Sequence, residues 1–410
     1  MYLVKLIFYM LSPILFLIIL LINPLIKFRF ISMPSDRLGE FATCFQLYFI
    51  KKLKKTDHFD IFFTQKIVSN NFYLKLIKKK IFVIDGIFVF PIFRIFSVLS
   101  LKFSFFKRFI LNPFEEDKIF GNMKLDYDDK KIISEIPKKF IDEGESFLKN
   151  LGITKSDNII LLYVRDAAYL KETFPNIDYS YHDYRNSDIE NYIHAVNYAI
   201  ERGYYVFRMG AIVEKQLNIK NKKFIDYSNL YRNDFLDIFL AYRCSFVIGT
   251  PAGYDAIPYL SFKKPILTTN GCPALPLILS PRSNMIYSLK HYHCKIEKRN
   301  LTIKEMLERN LVNMNGPDLL KNNITLHENS PEDLKVMVNE FLDQFEGKLD
   351  FSKEKIELRN IFNKTVFDYL VNTKDRRFYE ENLLNKKNQY TFRSKISINF
   401  LKSNSYLIDN

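Results

Sequence analysis

Tryptophan is absent from the 410 residues, so the 16% aromatic content is phenylalanine and tyrosine alone. Glycine is scarce at 12 residues, which makes each one a candidate for a tight turn or a close backbone approach. Cysteine is scarcer still. Cys44, Cys244, Cys272 and Cys294 show no CxxC or framework spacing, which excludes a disulfide scaffold and suits a reduced cytosolic setting. Cys294 closes the string His291-Tyr292-His293-Cys294, yet no second ligand cluster follows, so the string reads as a plain loop or strand. Helix-turn-helix, zinc-finger and RNP signatures are missing, which argues against a nucleic-acid partner despite the formal charge of +14. No internal repeat or low-complexity tract is visible, and an apolar content of 48% excludes disorder and supplies material for two cores.

Charge is also absent from one long run. Leu6 to Ile26 carries none over 21 residues, bracketed by Lys5 and by Lys27 and Arg29. That length can cross a bilayer core of ~30 Å, although Pro13, Asn23 and Pro24 would kink or shorten a helix. A buried helix or one lying in the interface suits the same run. No small-residue cleavage site follows it, which argues against a removed signal peptide. Residues 1 to 118 hold 18 Lys/Arg against 8 Asp/Glu, a bias that suits an anionic surface. The lysines at 51, 52, 54, 55, 75, 78, 79 and 80 place that side in the cytoplasm by the positive-inside tendency. The expectation is attachment to the cytoplasmic face of a membrane through residues 6–26.

From Lys27 the chain reads as strand (KFRFIS), loop (MPSDRLGE) and helix (FATCFQLYFIKKL), with further apolar runs near 59–63 and 80–90. The polar stretch 126–140 reads as a linker, and its Asp126-Tyr127-Asp128 triplet as solvated acids more than a metal motif. Beyond it, NIILLYV (158–164) is a continuous apolar run, the pattern of a strand buried on both faces. A helix over 187–202 with a capping box of Ser187 and Glu190 comes next, then strand YYVFRM. Strand KFIDYS, helix DFLDIFLAYR, strand SFVIGT, helix GYDAIPYL and strand KPILTT complete the alternation, which predicts a parallel α/β sheet. The predicted parts are an apolar helix (1–27), a first α/β domain (28–145), a second (146–350) and a helical, charged tail (351–410). That tail suits a brace against the first domain.

Ligands of open parallel sheets bind beyond the carboxyl ends of the strands. Arg165 and Asp166 end one predicted strand, Arg208 the next, and Gly249 and Thr250 another. Ala252 and Gly253 open the helix after it, whose free N–H groups suit a phosphate. The two glycines let backbone approach that phosphate, and an arginine offers it a bidentate fork; the alternative is that the glycines allow tight strand–helix packing and Arg165 pairs with Asp166 on the surface. His182, Asp183 and Arg185 lie on a long loop over the same edge, where Asp183 and Asn186 equally suit the cap of the next helix. In the first domain, Arg37, Gly39 and Glu40 stand between strand and helix at the equivalent edge. Glu40 there suits a base for an acceptor hydroxyl or a helix-start carboxylate.

The runs LLYVRDAAYL, HDYRNSDIENYIHAVNYAIERGYYVFRMG and DFLDIFLAYRCSFVIGTPAGYDAIPYLSFKKPILTTN resemble a family of glycosyltransferases from bacterial surface-polysaccharide gene clusters, as does the tail RSKISINFLKSN. The likeness covers most of residues 27–402. More distantly, the strand-Arg-Asp pattern is similar to fucosyltransferases of the GT-B fold, and RLGE and VIGTPAGYDAIPYL to turns of heptosyltransferases. The resemblance implies two Rossmann-like domains facing a cleft, with the acceptor on the first and a nucleotide-sugar on the second. It implies no cofactor and no metal. It also implies phosphate on Arg165, a donor pocket at Thr250 and Gly253, and Glu40 or Asp166 as base. Two departures keep the base open: Tyr163 and Val164 stand where fucosyltransferases often carry His, and Glu40 stands where heptosyltransferases usually carry Asp. The expected partners are a nucleotide-sugar, a lipid-linked saccharide acceptor and an anionic membrane surface. Transfer of a pyruvyl or glycerol-phosphate group, or non-catalytic saccharide binding at a membrane, are the alternatives.

Overall fold

The uncharged opening run folds as α1 (Tyr2–Ile22) with Pro13 inside it. It stops four residues short of Ile26, where Asn23 and Pro24 follow, as expected of a residue pair that resists helix. The computed structural model describes residues 2–51, 55–114, 136–348, 352–373 and 392–409. The Asp126-Tyr127-Asp128 triplet and most of the surrounding stretch lie outside them. Described residues fall into two units: those through Phe114 with Ile136 and residues 260–262, and those of 137–259 and from 263 onward.

In the first unit β1 (Lys27–Met33), α2 (Leu38–Ile50), β2 (His58–Thr64), α3 (Asn71–Ile77), β3 (Val83–Ile84) and α4 (Gly86–Lys102) follow in order. The strands form a parallel sheet β1-β2-β3. The run 80–90 divides, because Asp85 accepts the Ile87 N–H at 2.9 Å and starts α4 there. Phe30, Phe63, Phe96 and Phe109 build one apolar cluster between β1, β2, α4 and a 3₁₀ turn over Ser104–Phe109. One flank of α1 joins it through Leu15, Phe16, Ile19 and Leu20. Arg29, which brackets the apolar run in sequence, points inward. Its guanidinium meets Asp60, its register partner on β2, at 2.7 and 2.8 Å, and Tyr48 Oη donates to the same carboxylate at 2.5 Å. Among the described residues no helix is long and apolar enough to cross a membrane.

The second unit begins with α5 (Lys138–Asn150), β4 (Ile159–Tyr163), α6 (Ala168–Thr173), α7 (Ile193–Glu201), β5 (Tyr205–Arg208), β6 (Phe224–Ile225), α8 (Tyr227–Leu230), α9 (Asp234–Arg243) and β7 (Phe246–Gly249). It continues with β8 (Ile266–Gly271), α10 (Ala274–Ile278), β9 (Met285–Leu289), β10 (His291–Cys294), β11 (Arg299–Asn300), α11 (Ile303–Glu308), α12 (Gly316–Lys321) and β12 (Ile324–His327). It closes with α13 (Pro331–Phe345), α14 (Lys353–Asn372), β13 (Lys395–Ile396) and α15 (Ile398–Ser403). The main sheet has the order β13-β9-β8-β7-β4-β5-β6, and every pairing is parallel. Sequence order reverses between β4 and β7, which makes the crevice at their carboxyl ends the switch point of a doubly wound sheet. His291-Tyr292-His293-Cys294 is strand β10 of a small antiparallel sheet, and the four cysteines are free and buried. The tail groups with this unit: Phe362, Val366 and Leu370 of α14 enter its core, and β13 pairs with β9.

Three local expectations differ from the structure. Ser187 does not cap the helix after it: its N–H donates to the Arg165 carbonyl at 3.0 Å. Asp188 caps instead, accepting the Glu190 N–H at 3.1 Å to start a 3₁₀ turn (Ile189–Tyr192) ahead of α7. Asp188→Ala therefore should cost about 1 kcal/mol in urea denaturation, and Ser187→Ala a few tenths at most. The stretch GYDAIPYL is no regular α-helix, since a 3₁₀ turn (Gly253–Asp255) passes into a π turn (Ile257–Ser261). Pro258, which has no N–H to donate, sits within that π turn. The run KFIDYS is strand only over Phe224–Ile225, because Asp226 ends it and α8 starts at Tyr227.

Candidate functional site

β4 and β7 pair in parallel at the centre of the sheet, and their register sets Tyr163 opposite Gly249. The residues just beyond each strand consequently meet. Thr250 N–H donates to the Tyr163 carbonyl at 3.0 Å, and Arg165 N–H donates to Thr250 Oγ1 at 2.9 Å. The guanidinium of Arg165 and the turn before Gly253 thus start from one crevice. Gly249 has a reason of its own. A Cβ there would stand 2.1 Å from the Tyr163 carbonyl oxygen, so the glycine permits close strand packing. Ala252 is buried and directly precedes the 3₁₀ turn that Gly253 opens.

The loop after β4 folds back over this edge. Arg165 Nη1 donates to the His182 carbonyl at 3.2 Å and also to Asn186 Oδ1. Asn186 Nδ2 donates to Asp183 Oδ1 at 2.9 Å, and the His182 ring lies 4.1 Å from that of Tyr181. Arg185 Nη2 reaches across to the Pro251 carbonyl at 3.0 Å and so ties the loop to the turn after β7. A third cation joins them. Lys290, directly after β9 and buried, donates from Nζ to the Asn186 carbonyl at 2.5 Å. The sequence reading passed it over, although it stands one residue past an apolar strand, at the same edge as Arg165.

Arg165 lies within reach of the charge of Arg185, and Lys290 within reach of that of Arg165. Burial lowers the pKa of Arg165 most, and the charge of Arg185 lowers it further. Burial likewise lowers that of Lys290, with Arg165 pushing the same way and Glu328 opposing. Their hydrogen-bond acceptors are backbone carbonyls and one amide oxygen, and among the described residues none of the three forms an ion pair. Asp183 and Asp166 act on Arg165, and Glu328 on Lys290, as nearby charges, yet burial outweighs them and both cations stay below their ordinary pKa. An anion arriving here would offset that burial.

Beside them opens a cavity of about 850 Å³, with walls that include Asp166, Tyr181, Tyr184, Asn186, Lys290 and Glu328. That is ample for a nucleoside diphosphate with a sugar, within the ~300–1,000 Å³ usual for ligand pockets. Five carboxylates line it, Asp166, Asp183, Asp188, Glu214 and Glu328, with Lys215 and Lys290 as its cations. Asp166 accepts the Ala168 N–H at 3.0 Å and the Glu214 N–H at 2.9 Å, so it serves as a cap for α6 and an anchor for the next loop. Glu328 accepts from the Asp188 N–H at 3.0 Å and from Asn191 Nδ2 at 3.2 Å. Arg208 ends β5 but turns inward. It is 1% exposed, donates to Ser228 Oγ at 2.5 Å and to the Lys215 carbonyl at 3.1 Å, and acts as a buried pin.

In the first unit Arg37 precedes α2, with Gly39 and Glu40 in its first turn. Arg37 Nη2 donates to Glu40 Oε2 at 2.7 Å, and both side chains remain partly exposed. Burial raises the pKa of Glu40; Arg37 opposes the rise and Asp36 adds to it. A carboxyl so poised, with one cationic partner and open to solvent, suits proton acceptance better than Asp166 does. Among the described residues no group of three or more His, Cys, Asp or Glu side chains is placed to hold a metal ion.

No family model matches the chain, and no curated protein matches it in sequence. Solved structures similar to it include two glycosyltransferases. One is a family 9 glycosyl transferase from Veillonella parvula, with 12% identity, 78% of this chain and 98% of that chain covered, and a TM-score of 0.47. The other is the E. coli ADP-heptose LPS heptosyltransferase II, with 9% identity, 58% of this chain and 84% of that chain covered, and a TM-score of 0.35. At these identities and scores the likeness carries no argument about activity, which has to rest on the site's own geometry.

Proposed function

We propose that the chain is a glycosyltransferase that moves a sugar from a nucleotide-sugar to a saccharide acceptor. The observation that carries this reading is the group of three cations, Arg165, Arg185 and Lys290, hydrogen-bonded to neutral acceptors at the switch point of a doubly wound sheet. In such a reaction the acceptor hydroxyl oxygen bonds to the anomeric carbon. The bond from that carbon to the diphosphate breaks, and the negative charge grows on the leaving diphosphate. Fixed cations at that position stabilise the transition state more than the ground state. The acceptor is carried on a lipid, in surface-polysaccharide assembly at the cytoplasmic face of the inner membrane, and residues 6–26 hold the enzyme there.

Glu40 takes the acceptor proton in this reading. Its raised pKa sets a sign: the basic form is lost as pH falls, and lost at a higher pH than for an ordinary glutamate. Glu40→Gln is expected to lower kcat by roughly 10²–10⁴-fold and to abolish the acid limb of the kcat/KM profile. A profile with that limb unchanged would remove Glu40 from the role.

The reading itself is tested by thermal denaturation of the full chain with UDP, GDP, CMP and ADP. Mass analysis of the product formed from the matching nucleotide-sugar follows. One nucleotide should raise the transition temperature and leave a hexose-sized or heptose-sized increment on an acceptor. Smaller increments would support transfer of another group, and no shift with any nucleotide would sink the transferase reading.

A further inference from the structure

Phe8 of α1 meets Phe88 of α4 at 4.9 Å between ring centroids, and Phe16 meets Phe96 at 4.9 Å. The step is eight residues on both helices, so the two run parallel, side by side. Their inner flanks enter the cluster around Phe96; among the described residues their outer flanks carry large exposed apolar side chains. Met10 is 72% exposed, Leu21 78% and Leu101 86%, and Phe103 and Phe105 of the 3₁₀ turn are half exposed. Monomeric surfaces rarely leave so broad an apolar face uncovered.

Its chemistry says what covers it. Residues 86–114 hold Arg94, Lys102, Lys107 and Arg108 and no carboxylate. Among the described residues none of these four forms an ion pair, and the Arg108 guanidinium rests 3.7 Å above the Phe105 ring centroid. We infer that α1, the outer face of α4 and the 103–105 turn together form one monotopic platform that lies in the interface of an anionic bilayer, with both helices in the membrane plane. A bilayer supplies an apolar interior and phosphate headgroups at once. A second copy seated on the same face by a two-fold axis would bring a like-charged rim against this one.

Orientation follows from Arg94. It projects from the middle of the outer face of α4, between Phe90 and Val98, abreast of the middle of α1. Were α1 to cross the bilayer with α4 fastened to it, Arg94 would sit near the centre. Lying flat, it reaches the headgroups along its own methylene stem.

The inference rests on the membrane attachment proposed above and extends it beyond residues 6–26; it is independent of the transferase reading. The absence of tryptophan makes the test clean. Met10→Trp, Ile14→Trp, Leu21→Trp and Leu101→Trp, with Leu320→Trp of the second unit as control, each carry one indole. The full-length variants are mixed with phosphatidylcholine vesicles, with or without phosphatidylglycerol, whose lipids are brominated at shallow or deep acyl positions. The first four should shift to the blue only with vesicles, more with phosphatidylglycerol, and be quenched best by shallow bromine; Leu320→Trp should not change. The pair Leu101→Glu and Phe105→Glu should weaken vesicle binding at least tenfold while any nucleotide-induced thermal shift stays as in the parent. Deep quenching confined to Ile14→Trp, with Leu101→Trp left in water, would show that α1 spans alone and overturn the inference. A blue shift without lipid, accompanied by a doubled mass, would overturn it in favour of a second copy. An unchanged vesicle affinity of the double variant would remove α4 and the turn from the platform.

Discussion

Lys290→Met is expected to weaken nucleotide-sugar binding by roughly 10–150-fold, the ~1.5–3 kcal/mol of a charged hydrogen bond, while leaving the ligand-free protein as stable as before or more so. The two effects have one cause. The ammonium is buried, its acceptor is the neutral Asn186 carbonyl, and Arg165 repels it. Without ligand, removing a charge whose burial outweighs the attraction of Glu328, and keeping a chain of similar volume, relieves the fold. With ligand, the same removal deletes a partner of the phosphate. Isothermal calorimetry and thermal denaturation of one sample read both. A structural lysine would lose stability and leave affinity alone, and that outcome would end the anion-site assignment. The pH dependence carries the same sign. Burial lowers the pKa of Lys290 below its ordinary 10.5, so above the folded value the unfolded chain holds one more proton. Stability of the free protein then rises with pH through that window, and the rise vanishes in Lys290→Met. Arg165→Ala should abolish transfer, but it also releases the His182–Asn186 loop, so its stability cost is real and it is the less specific of the two variants.

Gly249→Ala is expected to cost on the order of 3 kcal/mol, the upper end of overpacking penalties, and to lower the unfolding temperature by roughly 6–12 °C. The added Cβ would stand 2.1 Å from the Tyr163 oxygen and 3.1 Å from its carbonyl carbon. Both belong to a central strand that can only yield by breaking its pairing with β5 or β7. Differential scanning calorimetry without nucleotide is the measurement. Were the glycine there to admit a phosphate, the variant would keep its unfolding temperature and lose only nucleotide binding. Gly152→Ala is a useful contrast: φ is +76° with nothing near the new Cβ, so the cost is backbone strain alone, about 1–2 kcal/mol.

Much of the second unit was legible in the sequence. The strand around Ile159–Tyr163 and the helix Asp234–Arg243 follow from the length and period of their apolar residues, which act over neighbours only a few positions away. Arg165 and Thr250 were recognisable as edge residues by the same means, because each directly follows an apolar strand. Less legible were the elements that depend on a competitor: Asp188 takes the cap that Ser187 also suits, and the segment after Gly253 winds unevenly with Pro258 inside it.

Which strands lie side by side was decided by the tertiary structure alone. Thr250 receives an N–H from a residue 85 positions earlier, and Lys290 reaches a carbonyl 104 positions earlier. Arg208 and Arg165 end successive strands with the same local pattern, yet one is pinned inside by Ser228 and the other holds the loop residues His182 and Asn186. Periodicity states which face of a strand is apolar. It does not state its partner, because the free energy of pairing is shared among distant segments that meet only when the whole sheet closes.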